Sequence, residues 1–492
     1  VTDLNRPLAL RRTMVTPASR ARGPQRKGPL VRVHNGRLVR TDTAVERQPL
    51  DPSSLPTEMA VAPAHLSLAR RLMIIGFIAT LFLPSLYDVG SIRLSPSLIL
   101  LIVTLPVTLD LWAVGRAGQR SVIDALVLAF AIWAAATRFL LLDPRDAIEP
   151  AGVVLLQSAG AYFAGRVLVR DASSMRYTFA VAIIGVILLA PFLVWESVSG
   201  TKPLLDLAGR FGQALAPTYM EERWGFSRAQ GVFEHPILLG VFCATLVAPA
   251  IYITAARRTL AFRSGIASIV AMATLTSLST GALLSMNVQF ALMTWNLLLR
   301  PVQRRWIILI ALCVAAFVMT DLLSDRTPFH LFVDYATFNT RNSYNRILIW
   351  EFGTADVMRS PLIGHGTDEW ERPAYMSNSM DNFWLVIAYR YGLIGLALLA
   401  SVFMLTLFRA SKGGTAGDDE AAIRLGYVFA VVATMVAIVS VHLWNNSYIW
   451  LMFVLGTGGW LVEAARPRNE AKVRRGQAAP PVAPGHFAPL PS

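Results

Sequence analysis

Apolar residues recur along this chain in runs separated by polar gaps, near 72–88, 94–114, 122–142, 150–168, 177–199, 236–256, 264–280, 282–299, 306–323, 384–408, 424–442 and 445–463. Each run has roughly the 17–25 residues that an α-helix needs to cross a bilayer core. The pattern predicts an all-α, polytopic integral membrane protein with about 12 transmembrane helices over 70–465. Two gaps are long, about 200–235 and about 324–383, and the second is expected to be a large loop on one side of the bilayer. Residues 1–69 are rich in Arg, Pro, Thr and Ser without helical or strand periodicity, which reads as a disordered basic arm. The arm lacks the compact apolar core of a cleavable signal, so the first hydrophobic helix is expected to direct insertion. Residues 466–492, ending QAAPPVAPGHFAPLPS, are low in complexity and read as a disordered tail.

Basic residues gather in the arm, in the tail and in every second gap: Arg116 and Arg120; Arg166, Arg170 and Arg176; Arg257, Arg258 and Arg263; Arg300, Arg304 and Arg305; Arg409, Lys412 and Arg424. Cytoplasmic loops retain Lys and Arg, so this alternation places both termini in the cytoplasm. The expected location is the bacterial inner (plasma) membrane, crossed many times, with both long gaps on the periplasmic face. Composition agrees, since 54% hydrophobic and 15% charged residues leave more apolar surface than a soluble domain could hide. The net charge of +14, gathered as described, suits an anionic membrane surface better than nucleic acid. Membrane lipids are therefore expected partners and nucleic acid is not. Cys243 and Cys313 both lie inside apolar runs, which leaves no disulfide framework. His235, His330, His365 and His442 are scattered, so no metal site is expected.

Arginine in an external gap runs against the usual charge bias. The first long gap holds Arg210, Arg223 and Arg228; the second holds Arg326, Arg341, Arg346, Arg359 and Arg372. These guanidiniums either pair with loop carboxylates such as Glu221, Glu222, Asp334 and Glu351, or form an anion site, for which their planar forks match phosphate oxygens. Asp381 stands at the mouth of a span beside Asn382, Phe383 and Trp384. It can serve as a general base at a dry interface, or simply cap the helix that follows. Trp350, Trp370, Tyr375 and Trp384 can stack on sugar rings or belong to the interfacial aromatic belt. His442, Trp444, Asn445 and Asn446 can contact a glycan or merely end a span. Within the spans, Asp110 and Glu196 have no obvious partner, and Asn287 and Gln289 are expected to hydrogen-bond between helices.

At GVFEHPILLG, NRILIWEFG, PLIGHG and DNFWLVIAYRYGLIGL, over roughly 150–410, the sequence resembles the O-antigen ligase and polysaccharide polymerase superfamily, exopolysaccharide polymerases included. The resemblance implies a GT-C-like helical membrane glycosyltransferase that uses undecaprenyl-pyrophosphate-linked glycans at the periplasmic face, with no cofactor and no metal. Arg228 falls where the family has a periplasmic Arg shortly before the Gly and Pro of the next span, and Arg346 on the Arg preceding the family's loop Trp, here Trp350. The ligases place a His before Asn at the start of the late span, where this chain has Asp381, and an Arg after Ser near the end of a middle span, where this chain has Thr280. These departures favour a polymerase of exopolysaccharide or O-antigen repeat units over a ligase that moves glycan to lipid A core; a flippase or transporter is the alternative from another class. The expected catalytic residues are Asp381, Arg228 and Arg346, with Arg223, Arg341, His235, Trp350, Asn382 and Trp384 binding substrate. Other polysaccharide assembly or export proteins are expected partners.

Overall fold

The computed structural model describes residues 66–90, 92–254, 258–323, 340–412 and 418–464, plus a short strand pair, Val33–His34 with Arg37–Leu38. That pair belongs to a separate unit, 1–63, while 64–492 form the unit that holds the helices. The rest of the expected arm and the expected tail lie outside the described residues.

Every apolar run carries a helix. In chain order these are α1 (Leu68–Leu81), α2 (Pro96–Ala113), α3 (Val122–Leu141), α4 (Pro144–Leu168) and α5 (Ala172–Ser199). A short α6 (Pro203–Gly209) follows in the first long gap, then α7 (Pro236–Thr254), α8 (Leu260–Thr276), α9 (Thr280–Leu298) and α10 (Arg305–Leu323). The second long gap contains α11 (Thr340–Val357), and α12 (Phe383–Ser411), α13 (Asp418–Ala437), α14 (Asn445–Thr457) and α15 (Gly459–Ala464) complete the bundle. Among the described residues, eight helices are long and apolar enough to cross a membrane: α2, α3, α4, α5, α7, α10, α12 and α13. The protein is thus a mostly helical, membrane-embedded one. Of the expected outer loop, 324–339 lie outside the described residues, and Arg346 and Trp350 stand on a helix instead of a loop.

The ends of the helices follow local chemistry. Ser67, Ser95, Ser121, Asp171, Thr259 and Asn382 each cap a helix by accepting a backbone N–H, and Ser121 and Asp171 complete reciprocal capping boxes with Asp124 and Ser174. The first apolar run was expected to stay helical to 88, but α1 stops at Leu81. Pro84 cannot continue a helix. Beyond it, Ser85–Val89 becomes the central strand of a small antiparallel sheet between Ile92–Leu94 and Gln213–Ala214.

Opposite ends of the bundle collect different residues. At the basic end, buried Arg166 bridges Asp124 at 3.1 Å and Glu463 at 3.0 Å, and Arg70 meets Asp171, Arg176 meets Asp419 and Arg424 reaches the Ala410 and Leu461 carbonyls. At the loop end, Asn446 bonds Ser97 and the Leu81 carbonyl, Ala229 N–H donates to Thr276, and Phe383 N–H donates to Ile438 and Val441. Two of the motifs interlock at this end. Gly392, with φ +70, breaks α12, and a Cβ there would collide with the Leu362 carbonyl. Gly364, with φ +76, packs in turn against the Tyr389 carbonyl. PLIGHG and RYGLIGL therefore form one joint that only glycine permits.

Gln289 makes the interhelical bonds expected of it. Fully buried, it accepts from Ala248 N–H at 2.9 Å and donates to the Ala244 carbonyl at 2.7 Å, satisfying the backbone where α7 breaks at Thr245–Leu246. Asn287 faces outward instead.

Candidate functional site

The loop end contains a cleft of about 130 Å³ lined by Met220, Arg223, Arg228, Ile237, Ser279, Thr280, Asn345, Arg346, Ile349 and Asp381. Four residues singled out from sequence, Arg223, Arg228, Arg346 and Asp381, thus come together from three segments far apart in the chain.

Arg228 is held by a buried scaffold. Glu196, at the end of α5, accepts from Gln230 N–H at 2.6 Å and Gly231 N–H at 3.0 Å, and pairs with Lys202 Nζ at 2.6 Å. Lys202 also donates to the Arg228 carbonyl at 3.0 Å. The expectation that Glu196 lacks a partner is corrected: six residues on, across the α5 terminus at Gly200, the chain returns a lysine to it. Gln230 accepts from Thr218 N–H and donates to the Ala216 carbonyl, tying in the preceding segment. The Arg228 side chain is itself buried, with Nε donating to the Ser277 carbonyl at 3.2 Å and Nη1 contacting Met220 Sδ at 3.0 Å.

Arg346 enters from α11. Its Nη2 donates to Thr280 Oγ1 at 2.8 Å, while Nη1 is buried without a hydrogen-bond partner among the described residues. Arg223 donates to the Leu278 carbonyl at 2.5 Å. Leu278 has φ +45, so the 277–279 turn aims carbonyls at both Arg223 and Arg228. Among the described residues, none of these three guanidiniums forms a carboxylate ion pair within 4.0 Å, whereas Arg359 pairs with Asp356 and Glu371, and Arg372 with Glu369. Among the described residues, the loop-carboxylate reading therefore holds for Arg359 and Arg372 and not for the three in the cleft.

Burial of uncompensated charge shows in the electrostatics. Desolvation, then the nearby Arg223, pull the Arg228 guanidinium down to about 10, against the favourable Asp381. Burial likewise lowers Arg346, and Asp381 again opposes the shift. Arg223 is lowered by burial as well. His235 is pulled to about 4 by burial and then by Arg228, with Asp381 opposing.

Asp381 and Asn382 divide the roles that the sequence left open. Asn382 is buried and caps α12, its Oδ1 accepting from Leu385 N–H at 3.1 Å. Asp381 does not cap; it faces the cleft and accepts from Ser379 Oγ at 2.5 Å. Asn382 thus holds the start of α12, and it does not line the cleft. His235 caps α7, its Nδ1 accepting from Ile237 N–H at 3.1 Å, and stands beside the cleft without lining it. Trp384, partly buried, packs edge-on against Phe383 and Phe403 and does not line the cleft. Trp350 lies on α11, half-exposed and off the cleft lining. Arg341 falls on α11, with its side chain outside the described residues.

Sequence reasoning missed Lys202, Gln230, Met220 and Asn345. Lys202 had a signal, a lysine closely following an apolar run that ends in a carboxylate; Gln230 and Met220 had none. Thr280, noted only as a departure from the ligase pattern, is the residue that Arg346 holds. Among the described residues no group of His, Cys, Asp and Glu is placed to hold a metal ion. No family model and no curated protein matches the chain.

Three guanidiniums, one with a buried donor unpaired among the described residues, have the chemistry to bind a compact anion, and the adjacent carboxylate can accept a proton. The cleft is smaller than the roughly 300–1,000 Å³ that encloses a drug-sized ligand, so it has room only for a small group.

Proposed function

We propose that this cleft grips the diphosphate of a lipid-linked glycan and that the protein is a membrane glycosyltransferase acting at the periplasmic face of the bacterial inner membrane. The observation that carries the reading is the convergence of Arg223, Arg228 and Arg346, without carboxylate partners among the described residues, beside Asp381. The acceptor hydroxyl oxygen attacks the anomeric carbon of the donor and gives its proton to Asp381. The bond from that carbon to the phosphate oxygen breaks, and the diphosphate leaves with the electron pair. Charge grows on the leaving group, so guanidiniums placed there favour the transition state over the ground state.

The likeness to the O-antigen ligase and polymerase superfamily supports undecaprenyl pyrophosphate as the carrier and repeat-unit polymerisation as the reaction. Arginines in alternate gaps support about 12 spans with both termini inside. The test uses purified protein in liposomes with a lipid-linked repeat unit. Arg228→Ala and Asp381→Asn are each expected to slow chain extension roughly a hundred- to thousandfold. Near wild-type extension by correctly inserted variants overturns the assignment. In cells, deletion of the gene should leave single lipid-linked repeats for a polymerase, and long lipid-linked chains for a ligase.

A further inference from the structure

A second cationic cavity lies at the basic end of the bundle. It measures about 280 Å³ and is lined by Leu66, Arg71, Ser173, Arg176, Tyr177, Ala180 and Thr254. Arg71 lies over the Tyr177 ring at 5.8 Å near the start of α1 and α5, and Phe82 meets Gly185 further along, so the two helices run in the same direction.

Charge in this corner is only partly balanced. Arg70 pairs with Asp171 at 3.5 Å and Arg176 with Asp419 at 3.3 Å. Arg71 and Arg170 have no carboxylate within 4.0 Å among the described residues, and Arg176 Nη2 is buried without a hydrogen-bond partner despite its ion pair. The cavity opens beside apolar stripes. On α1, Leu68, Leu72 and Ile75 fall on one helical face and are 71%, 58% and 41% exposed. On α5, Ile184 and Leu188 continue the face of Tyr177 and are 54% and 67% exposed. A cationic pocket at the head of two outward apolar stripes matches a phospholipid in both its halves.

We infer that Arg71 and Arg176, with Ser173 and Tyr177, bind the phosphate of an anionic phospholipid headgroup, whose acyl chains lie along Leu72, Ile75, Ile184 and Leu188. This site is separate from the glycan-transfer cleft, and the inference does not depend on that activity.

The test measures lipid retention by native mass spectrometry, and unfolding temperature, on the full chain in detergent. The additions are phosphatidylglycerol, phosphatidylcholine and inorganic phosphate. Phosphatidylglycerol should bind and stabilise, and the other two should not. With about 1 kcal/mol for each arginine near a lipid surface, Arg71→Gln should weaken phosphatidylglycerol binding roughly fivefold, and Arg71→Gln with Arg176→Gln roughly thirtyfold. Arg71 is exposed, so Arg71→Gln keeps the fold even if the double variant does not, and Arg71→Lys should recover binding. The inference is overturned if Arg71→Gln binds phosphatidylglycerol as the wild type does, or if phosphatidylcholine binds equally well. Equal stabilisation by inorganic phosphate overturns it too, by marking a free-phosphate site.

Discussion

Replacing Arg228 by Met should abolish transfer while leaving the fold as stable as before, or more so. The guanidinium is buried, and its fall from the ordinary arginine value to about 10 corresponds, at about 1.36 kcal/mol per pH unit, to roughly 3 kcal/mol of preference for the charged form lost on folding. The folded value lies below the unfolded one, so this penalty is fully present below about pH 10 and relieved only as the pH rises above it toward the ordinary arginine value; at neutral pH it applies in full. Methionine removes the penalty and roughly fills the space, but it takes the donor from the Ser277 carbonyl, which costs about 1–3 kcal/mol. The balance lies near zero or slightly positive. A buried arginine in a salt bridge behaves differently, because its removal strands a partner charge and costs about 3–5 kcal/mol. Unfolding temperature in detergent, with and without a diphosphate lipid, reads the difference: the lipid should stabilise the wild type and not Arg228→Met. Transfer should fall roughly a hundred- to thousandfold. A loss of several kcal/mol with transfer intact would refute the reasoning and make Arg228 a structural residue.

Glu196→Ala should be severely destabilising, by about 3–5 kcal/mol in thermal or denaturant unfolding, since it leaves Lys202 buried and unpaired and frees the Gln230 and Gly231 amides. Asp381→Asn and Asn382→Ala should separate chemistry from structure: the first loses transfer at unchanged stability, and the second loses about 1 kcal/mol of stability through its cap while the protein that remains folded stays active. His235, with a folded value of about 4, should be neutral from pH 5 to 8, so the transfer rate across that range should keep the same pH profile in His235→Asn, which retains an α7 cap. Gln289→Leu should cost about 1–3 kcal/mol by leaving the Ala248 amide and Ala244 carbonyl unpaired, measurable as a lowered unfolding temperature.

Periodicity made the helices legible, because an apolar run long enough to span has few alternatives. It did not make their ends legible. The first run looked unbroken through 88, yet Pro84 and a partner strand more than a hundred residues away turn its last residues into sheet. α11 escaped notice because its helix carries no apolar run and lies within a gap defined by what surrounds it. In the site, charge against expectation was the informative signal: arginine where a span-flanking gap should hold few. That signal could not say which arginines meet carboxylates, since Arg359 and Glu371 pair across a turn whose geometry is tertiary. Nor could it divide Asp381 from Asn382, because either can cap a helix.

The cleft joins two opposite electrostatic designs. Glu196 and Lys202 are buried together and satisfied, and their contribution is geometric: they fix the backbone from Arg228 to Gly231, where Gly231 at φ +60 turns the chain past Leu193. Arg228, which they present, and Arg346, which enters from α11, sit apart from any carboxylate partner among the described residues, and burial disfavours the charge of both, which is unfavourable for folding alone. A side chain serving stability would have been paired in the same way as Lys202, six residues from its partner. The cost becomes favourable when an anion enters, because the binding free energy then includes relief of charge already desolvated and already positioned. Preorganisation of this kind requires a rigid support, and the buried Glu196–Lys202 pair supplies it; loosening that pair should therefore weaken diphosphate binding even in variants whose cleft arginines are all intact.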